Sequence, residues 1–192
     1  MAPVFYLAST SPRRRQLLQL LDRPFALLNP DIDESPQPGE TPRALVERLA
    51  RQKAEAGAAM APEPLPVLGS DTLGELDGQI LVKPLNQSDA AKMLRAMSGR
   101  SHQIHTAIAV SAGGRTLSEV VTSTVTFTHL TDAEITAYWH TGEPADKAGG
   151  YGIQGRGGRF VSHLSGSYFA VVGLPLMETE RLLNRFLAKE HE

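Results

Sequence analysis

Asp71 places a carboxylate in a strand-like stretch directly after Val67 and Leu68, where a charge is disfavoured unless it is paired or bound to a metal. It is the first candidate for chemistry. Arg13, Arg14 and Arg15 fall in the first turn of a helix that opens at Ser11-Pro12, where the helix dipole already concentrates positive charge. Either they are solvated surface arginines, or a phosphate sits at that helix start and collects backbone N–H groups and guanidinium forks together. Lys53 continues the apolar stripe of Leu45 and Leu49 at i, i+4, i+8, so it snorkels from the end of a core or points into a polar cleft. Lys83, before Pro84 at a strand end, is aimed across a cleft or simply exposed. The loop acids Asp31, Asp33 and Glu34 can join Asp71 as oxygen ligands of a divalent cation, or form a solvated turn. Carboxylates gathered with several cations suggest a metal-bridged polyphosphate.

Other chemistries are excluded or weakened. The chain has no cysteine, so disulfides, thiolate zinc sites and cysteine nucleophiles are out, and a cytoplasmic address fits. Gly150, Gly152 and Gly155 satisfy G-x-G-x-x-G, but the segment lies late, opens no helix and has no acid about twenty residues on. There is no Walker A motif, no H-E-x-x-H, no G-x-S-x-G and no metal-ligand spacing among the six histidines, which read as surface or hydrogen-bonded core. A formal charge of -2 argues against a nucleic-acid partner. No stretch approaches the roughly 20 apolar residues of a membrane span, and the start MAPVFYLAST lacks the pattern of a signal peptide.

The elements that must carry these residues follow from pattern. Val4 to Ser9 reads as a strand, followed by a helix capped by Ser11 that buries Leu17, Leu18 and Leu21. Thr41-Pro42 opens a long helix to about Met60, and Val67 to Leu73 is a strand turning at Asp77-Gly78 into a second that ends at Lys83-Pro84. A helix from Asn86 or Ser88 stops at Gly99, and residues 102–112 and 116–128 form a hairpin around Gly113-Gly114. Thr131 and Glu134 make a capping box, and a Gly-rich loop from Gly142 leads to strands at Arg159 to Leu164 and Tyr168 to Val172. A closing helix after Pro175 carries Leu182, Leu183 and Phe186. Strands joined by both helices and hairpins give an α/β chain with one extended mixed sheet. Residues 29–41 and 142–158, the long stretches without period, are the loops expected to carry function.

Taken in order, LASTSPRRRQLL, DIDES, LARQKA, GSDTLGELDGQILVKPL, MLRAMSGRSHQIHTAIAV, DKAGGYGIQG and GSYFAVVGLPL resemble the Maf family of nucleotide pyrophosphatases over nearly the whole chain. The resemblance implies a single Maf-like domain over residues 1–192, related to inosine triphosphate pyrophosphatases, with two lobes around a deep cleft and often a homodimer. It implies hydrolysis of a nucleoside triphosphate to monophosphate and pyrophosphate with Mg2+ or Mn2+. Asp71 would be the proton acceptor and, with Glu34, a metal ligand; Glu34, Lys53 and Lys83 would form the polyphosphate site, with Ser9, Arg13 and Arg14 at the phosphates. Arg13, Thr72 and Gln154 match positions tied to specificity, in the branch that hydrolyses dTTP and UTP. The family's reputation for division arrest supplies the alternative of a non-catalytic nucleotide-binding regulator of septum formation. The chain departs from the pattern at Ser70, where alanine is frequent, and at Gly74-Glu75, where the strand is usually apolar. A glutamine amide at 154 can pair with the N3–H and carbonyl edge of uracil or thymine, and rejects cytosine only if a neighbour fixes its orientation. Thr72 is the candidate for that neighbour.

Overall fold

Two proline-led helices set the frame. In the computed structural model, which describes residues 1–187, Ser11 caps α1 (Pro12–Gln19) and Thr41 caps α2 (Pro42–Met60), each side chain accepting from a backbone N–H three residues on. The strand after α2 becomes the centre of the molecule. Seven strands form one sheet in the order β2 (Phe25–Leu28), β1 (Phe5–Ala8), β3 (Val67–Leu76), β5 (Ser101–Ala112), β6 (Arg115–Phe127) and β7 (Val161–Ser165), with β4 (Gln79–Leu81) paired to the far end of β3. β1 runs parallel to β2 and β3, and every other pairing is antiparallel. The sheet is therefore mixed, as the alternation of helical and hairpin connections requires.

Side-chain alternation then sorts the layers. One face of β3 and β5 carries Leu73, Ala107 and Ala109 and is covered by Leu45, Leu49 and Ala50 of α2. The other face holds two separate cores. At one end Leu68, Ile108 and Val110 meet Leu17 and Leu18 of α1 and Leu182 and Leu183 of α6 (Leu176–Leu187). At the other end Val125 and Phe127 meet Leu94 and Met97 of α3 (Gln87–Met97) and Ile135 and Tyr138 of α4 (Asp132–Trp139). Between these cores the same face of β3 offers Ser70, Thr72 and Gly74, too small to fill the space above them. The two ends stand apart as lobes across that floor.

The local signals hold at the turns. Asp77-Gly78 and Gly113-Gly114 have the paired positive φ values of two-residue hairpins, and Thr131 and Glu134 form their capping box. Among the described residues no helix is long and apolar enough to cross a membrane. Two readings are corrected. Tyr168–Val172 is a short helix, α5, rather than a strand, because Ser167 Oγ accepts from the Ala170 N–H and starts a helical turn that Gly173 ends. The second strand of the Asp77-Gly78 hairpin stops at Leu81, two residues before Lys83.

Glu75 does not interrupt β3, because β5 supplies it with a partner. His105 Nε2 lies 2.5 Å from Glu75 Oε2, its Nδ1 lies 2.8 Å from Thr122 Oγ1, and Arg43 donates to that same hydroxyl at 3.1 Å. A polar chain across three strands thus takes the place of apolar packing.

The approach of α2 to β3 is unusually close. A Cβ on Gly69 would lie 2.4 Å from the Ala50 carbonyl oxygen and 2.6 Å from the Ala54 nitrogen, and one on Gly57 would lie 2.7 Å from Val67 Cγ1. The helix backbone cannot turn aside as a side chain can. Gly69→Ala is expected to lower the unfolding free energy by at least about 2 kcal/mol, within the range for overpacking. Urea denaturation measures it, and an unchanged midpoint would mean that α2 is not seated against Gly69.

Candidate active site

The cleft begins as a gap in the sheet. β1 pairs with β3 only as far as Gly69, and β4 takes up the pairing at Gly74, so Ser70 to Leu73 have a strand on the β5 side alone. A cavity of about 430 Å3 opens there. Because its mouth is at an open edge, Asp71 from one face of β3 and Thr72 from the other both line it. The carboxyl end of parallel β1 leads into the α1 N-terminus beside the same gap, an arrangement that suits an anion.

On the α2 side, Lys53 turns inward and meets two carboxylates, Asp71 Oδ1 at 2.9 Å and Glu34 Oε1 at 3.0 Å. The inward lysine therefore points into a polar cleft. Glu34 comes from the long loop 29–41, which Arg48 holds to α2 through both oxygens of Glu40, at 2.6 and 3.0 Å, and through the Ser35 carbonyl. This hydrogen-bonded pairing holds the Glu40 carboxyl down at about 2. Of the three loop acids only Glu34 lines the cavity. Asp33 instead accepts from the Ser35 N–H, which lowers its pKa and shapes the turn, and Asp31 is exposed and does not line the cavity.

The three arginines divide. Arg13 and Arg14 line the cavity, whereas Arg15, one step further round the helix, faces a different surface. Arg14 is the ordered one, with Nε donating to the Gly173 carbonyl at 2.9 Å and a terminal nitrogen donating to Thr72 Oγ1 at 3.0 Å. Burial lowers its pKa, and the charge of Asp71 acts in the opposite direction. Lys83 reaches the cavity from the loop after β4. Ser9 does not line it; its hydroxyl accepts from the Ser11 N–H at 3.2 Å and shapes the loop into α1.

The facing wall is the Gly-rich segment, which the structure folds into three short 3-10 turns instead of a plain loop. Gln154 lines the cavity, with Asp146, Lys147 and Tyr151 beside it. Thr72 is bonded to Arg14 and Thr106 rather than to Gln154. Sequence reading passed over Lys147, whose Nζ donates to the Glu143 carbonyl and to Asp146 Oδ1, each at 3.2 Å. It also passed over Glu143, which accepts from the Tyr138 hydroxyl and from the Arg156 and Gly157 N–H groups and so ties the segment to α4. Burial pushes the Glu143 carboxyl up, but those hydrogen bonds outweigh it and hold the group below its usual range. The signal for Glu143 was a charge beside Gly142 in a Gly-rich stretch that needs its amides satisfied.

In this cleft Arg13, Arg14, Lys53, Lys83 and Lys147 face Glu34, Asp71 and Asp146, a surplus of two positive charges. Among the described residues no group of three or more His, Asp or Glu side chains gathers to hold a metal alone. Two convergent carboxylates, Glu34 and Asp71, do fit an ion of the Mg2+ type, which takes few protein ligands and completes its shell with phosphate oxygens and water.

The family described as Maf-like protein matches residues 4–186. A protein of Photorhabdus laumondii named dTTP/UTP pyrophosphatase is 55% identical over 183 residues, covering 95% of this chain and 94% of its own. One of the same name from Pseudoalteromonas translucida is 54% identical over 187 residues, covering 97% and 99%. Among solved structures, the Staphylococcus aureus Ham1 protein overlaps 67% of this chain and 72% of its own, with a TM-score of 0.44 and 17% identity.

Tyr151 is carried to the cleft by His102, whose Nε2 lies 2.5 Å from the tyrosine hydroxyl, while among the described residues Nδ1 is buried without a partner. Burial pushes the His102 pKa down to about 4. The folded protein therefore keeps the ring neutral where the unfolded chain, titrating near the ordinary 6.5, takes up a proton. Stability is expected to fall as pH drops from about 6.5 towards 4, by a few kcal/mol at most. Thermal melts of wild type and His102→Phe check it: the variant should show the shallower fall, and parallel curves would detach His102 from the effect.

Proposed function

The chain belongs to the Maf-like protein family, and from that premise we propose that it hydrolyses dTTP and UTP to the monophosphate and pyrophosphate. The observation that carries the reading is the cleft itself, where five cations and three carboxylates line one cavity of about 430 Å3. Relatives more than half identical over almost their full length carry the name of that reaction. A nucleoside triphosphate supplies the polyphosphate such a surplus of positive charge would hold.

In this reading the α-phosphorus lies beside Asp71. Lys53 holds Oδ1, and among the described residues Oδ2 has no hydrogen-bond partner, which leaves it to orient a water and accept its proton during attack. The P–O bond to the β-phosphate breaks, and pyrophosphate leaves with its charge met by Arg13, Arg14 and Lys83. A divalent cation held by Glu34 and Asp71 would further neutralise the phosphate oxygens. Lys53 keeps those two carboxylates together before substrate arrives. The Gln154 amide reads the base, its acceptor meeting N3–H and its donor a carbonyl, which suits uracil and thymine alike and ignores the 5-methyl group.

The products decide the reaction type. A phosphate assay is expected to stay silent until inorganic pyrophosphatase is added, and full signal without it would mean removal of the γ-phosphate instead. Asp71→Asn, nearly isosteric, is expected to lose at least ~100-fold in turnover with little change in melting temperature. Near-normal turnover would take Asp71 out of the chemistry.

Base recognition is tested separately. Gln154→Ala is expected to lower kcat/KM for dTTP and UTP by roughly 1 to 3 kcal/mol, with less effect on poor substrates. Equal losses on all nucleotides would make the glutamine a loop-shaping residue.

A further inference from the structure

Thr72 and Thr106 stand directly opposite each other across β3 and β5, with their hydroxyl oxygens 2.9 Å apart. Taken alone, the pair leaves open which oxygen donates. The groups at its two ends decide. Thr106 Oγ1 lies 2.6 Å from the Ala170 carbonyl oxygen, which can only accept, so the Thr106 proton is committed there. Thr106 must then accept from Thr72, and the Thr72 proton points away from the cleft. On the other side the Arg14 guanidinium, which can only donate, reaches Thr72 Oγ1 at 3.0 Å. The donor and one lone pair of Thr72 are thus in use, and one lone pair remains.

We infer that Thr106 is a specificity-determining positioning residue: by taking the Thr72 proton, it makes Thr72 a pure acceptor towards the bound base. The inference rests on the dTTP/UTP reading of the cleft. Thr72 lines the cavity, whereas Thr106 is fully buried behind it and does not. Uracil and thymine carry an N3–H donor where cytosine carries a lone pair. An acceptor-only hydroxyl meets that N3–H directly, or takes an N–H of the Gln154 amide and leaves the amide oxygen to meet it. Both arrangements suit uracil and thymine. Cytosine N3 opposes an oxygen lone pair in either one. Ribose hydroxyls donate and accept equally well, so the polarity of Thr72 sorts bases and not sugars.

The direction of the chain is anchored in backbone. Ala170 lies in the short helix α5, whose last carbonyls have no partner within the helix. Thr106 satisfies the Ala170 carbonyl and Arg14 satisfies that of Gly173, so the ends of the relay are a fixed acceptor and a fixed donor. None of its internal links depends on a group that titrates near neutral pH.

Thr106→Val keeps the shape and removes both hydrogen-bonding functions, which frees the Thr72 proton to turn into the cleft. The ratio of kcat/KM for UTP over CTP, read by pyrophosphate release, is expected to fall roughly 3- to 10-fold, the effect of one hydrogen bond. Thr106→Ser is expected to restore it. Thr106→Ala, which adds no bulk, reads the same ratio should the valine variant fail to fold. An unchanged ratio in the valine and alanine variants, with turnover reduced on both nucleotides, would overturn the inference and leave Thr106 a scaffold residue. Absence of pyrophosphate release from UTP and CTP by the wild type would instead overturn the reaction. The same ratio then read as Kd by calorimetry still tests Thr72, and a preference for UTP insensitive to Thr106→Val overturns its assigned polarity.

Discussion

Four residues of β3, Ser70 to Leu73, have a strand on one side only. Everything in the cleft depends on that gap. In a fully paired sheet Asp71 and Thr72 would face opposite layers and never meet one ligand, since neighbouring side chains alternate across the pleat. At an open edge they turn round the same strand into one cavity. The gap is bounded by Gly69, where pairing with β1 stops, and by Gly74, opposite Leu81 at the end of β4. At Gly74 a Cβ would lie 2.9 Å from Leu81 Cδ1, so a larger residue would have to displace the Leu81 side chain, which also lines the cleft.

The second constraint is the seat of α2. Gly57 and Gly69 let the helix approach the sheet closely at these two points, and Lys53 lies within 2.9 Å of Asp71. A helix held at ordinary side-chain distance would leave the lysine short of the strand. The same helix carries Arg48, whose grip on Glu40 and Ser35 fixes the loop that delivers Glu34 to Lys53. One helix thus positions a lysine directly and a carboxylate indirectly, and neither tether is itself part of the cavity lining.

Residues that violate a local rule were the ones legible in the sequence. A carboxylate in a strand, a lysine on an apolar stripe and arginines at a helix N-terminus each signal a local cost that a common site can offset, and Asp71, Lys53, Arg13 and Arg14 do line one cavity. Arg15, which broke the same rule as its neighbours, and the loop acids Asp31 and Asp33 do not reach it, because helix phase and loop direction are set by packing that a sequence window does not contain. Tyr168–Val172 has the composition of a strand and forms a helix, because the Ser167 cap starts a helical turn that composition does not reveal. Glu143 left only the faint signal of a charge beside Gly142, and His102 and Thr106 were not legible at all. Their partners, Gly157, Tyr151 and Ala170, lie 14, 49 and 64 residues away in sequence.

Charge placement explains why the cleft combines acids with its cations instead of presenting a bare basic pocket. Five like charges lining one cavity repel each other, and partial burial lowers the pKa of Arg14. Glu34 and Asp71 relieve that strain by pairing with Lys53, and Asp146 does the same for Lys147. Among the described residues Lys53 and Lys147 are therefore paired, with carboxylate oxygens and amine hydrogens oriented by one another, while Arg13, Arg14 and Lys83 keep the surplus of positive charge. In the proposed reading a polyphosphate finds these groups already ordered; it meets Arg13, Arg14 and Lys83, while Glu34 and Asp71, kept together by Lys53, would hold a divalent ion and take the proton. In that reading the acids that order the cations also carry the chemistry, which is why an inward lysine between two carboxylates belongs in the cleft rather than at the surface.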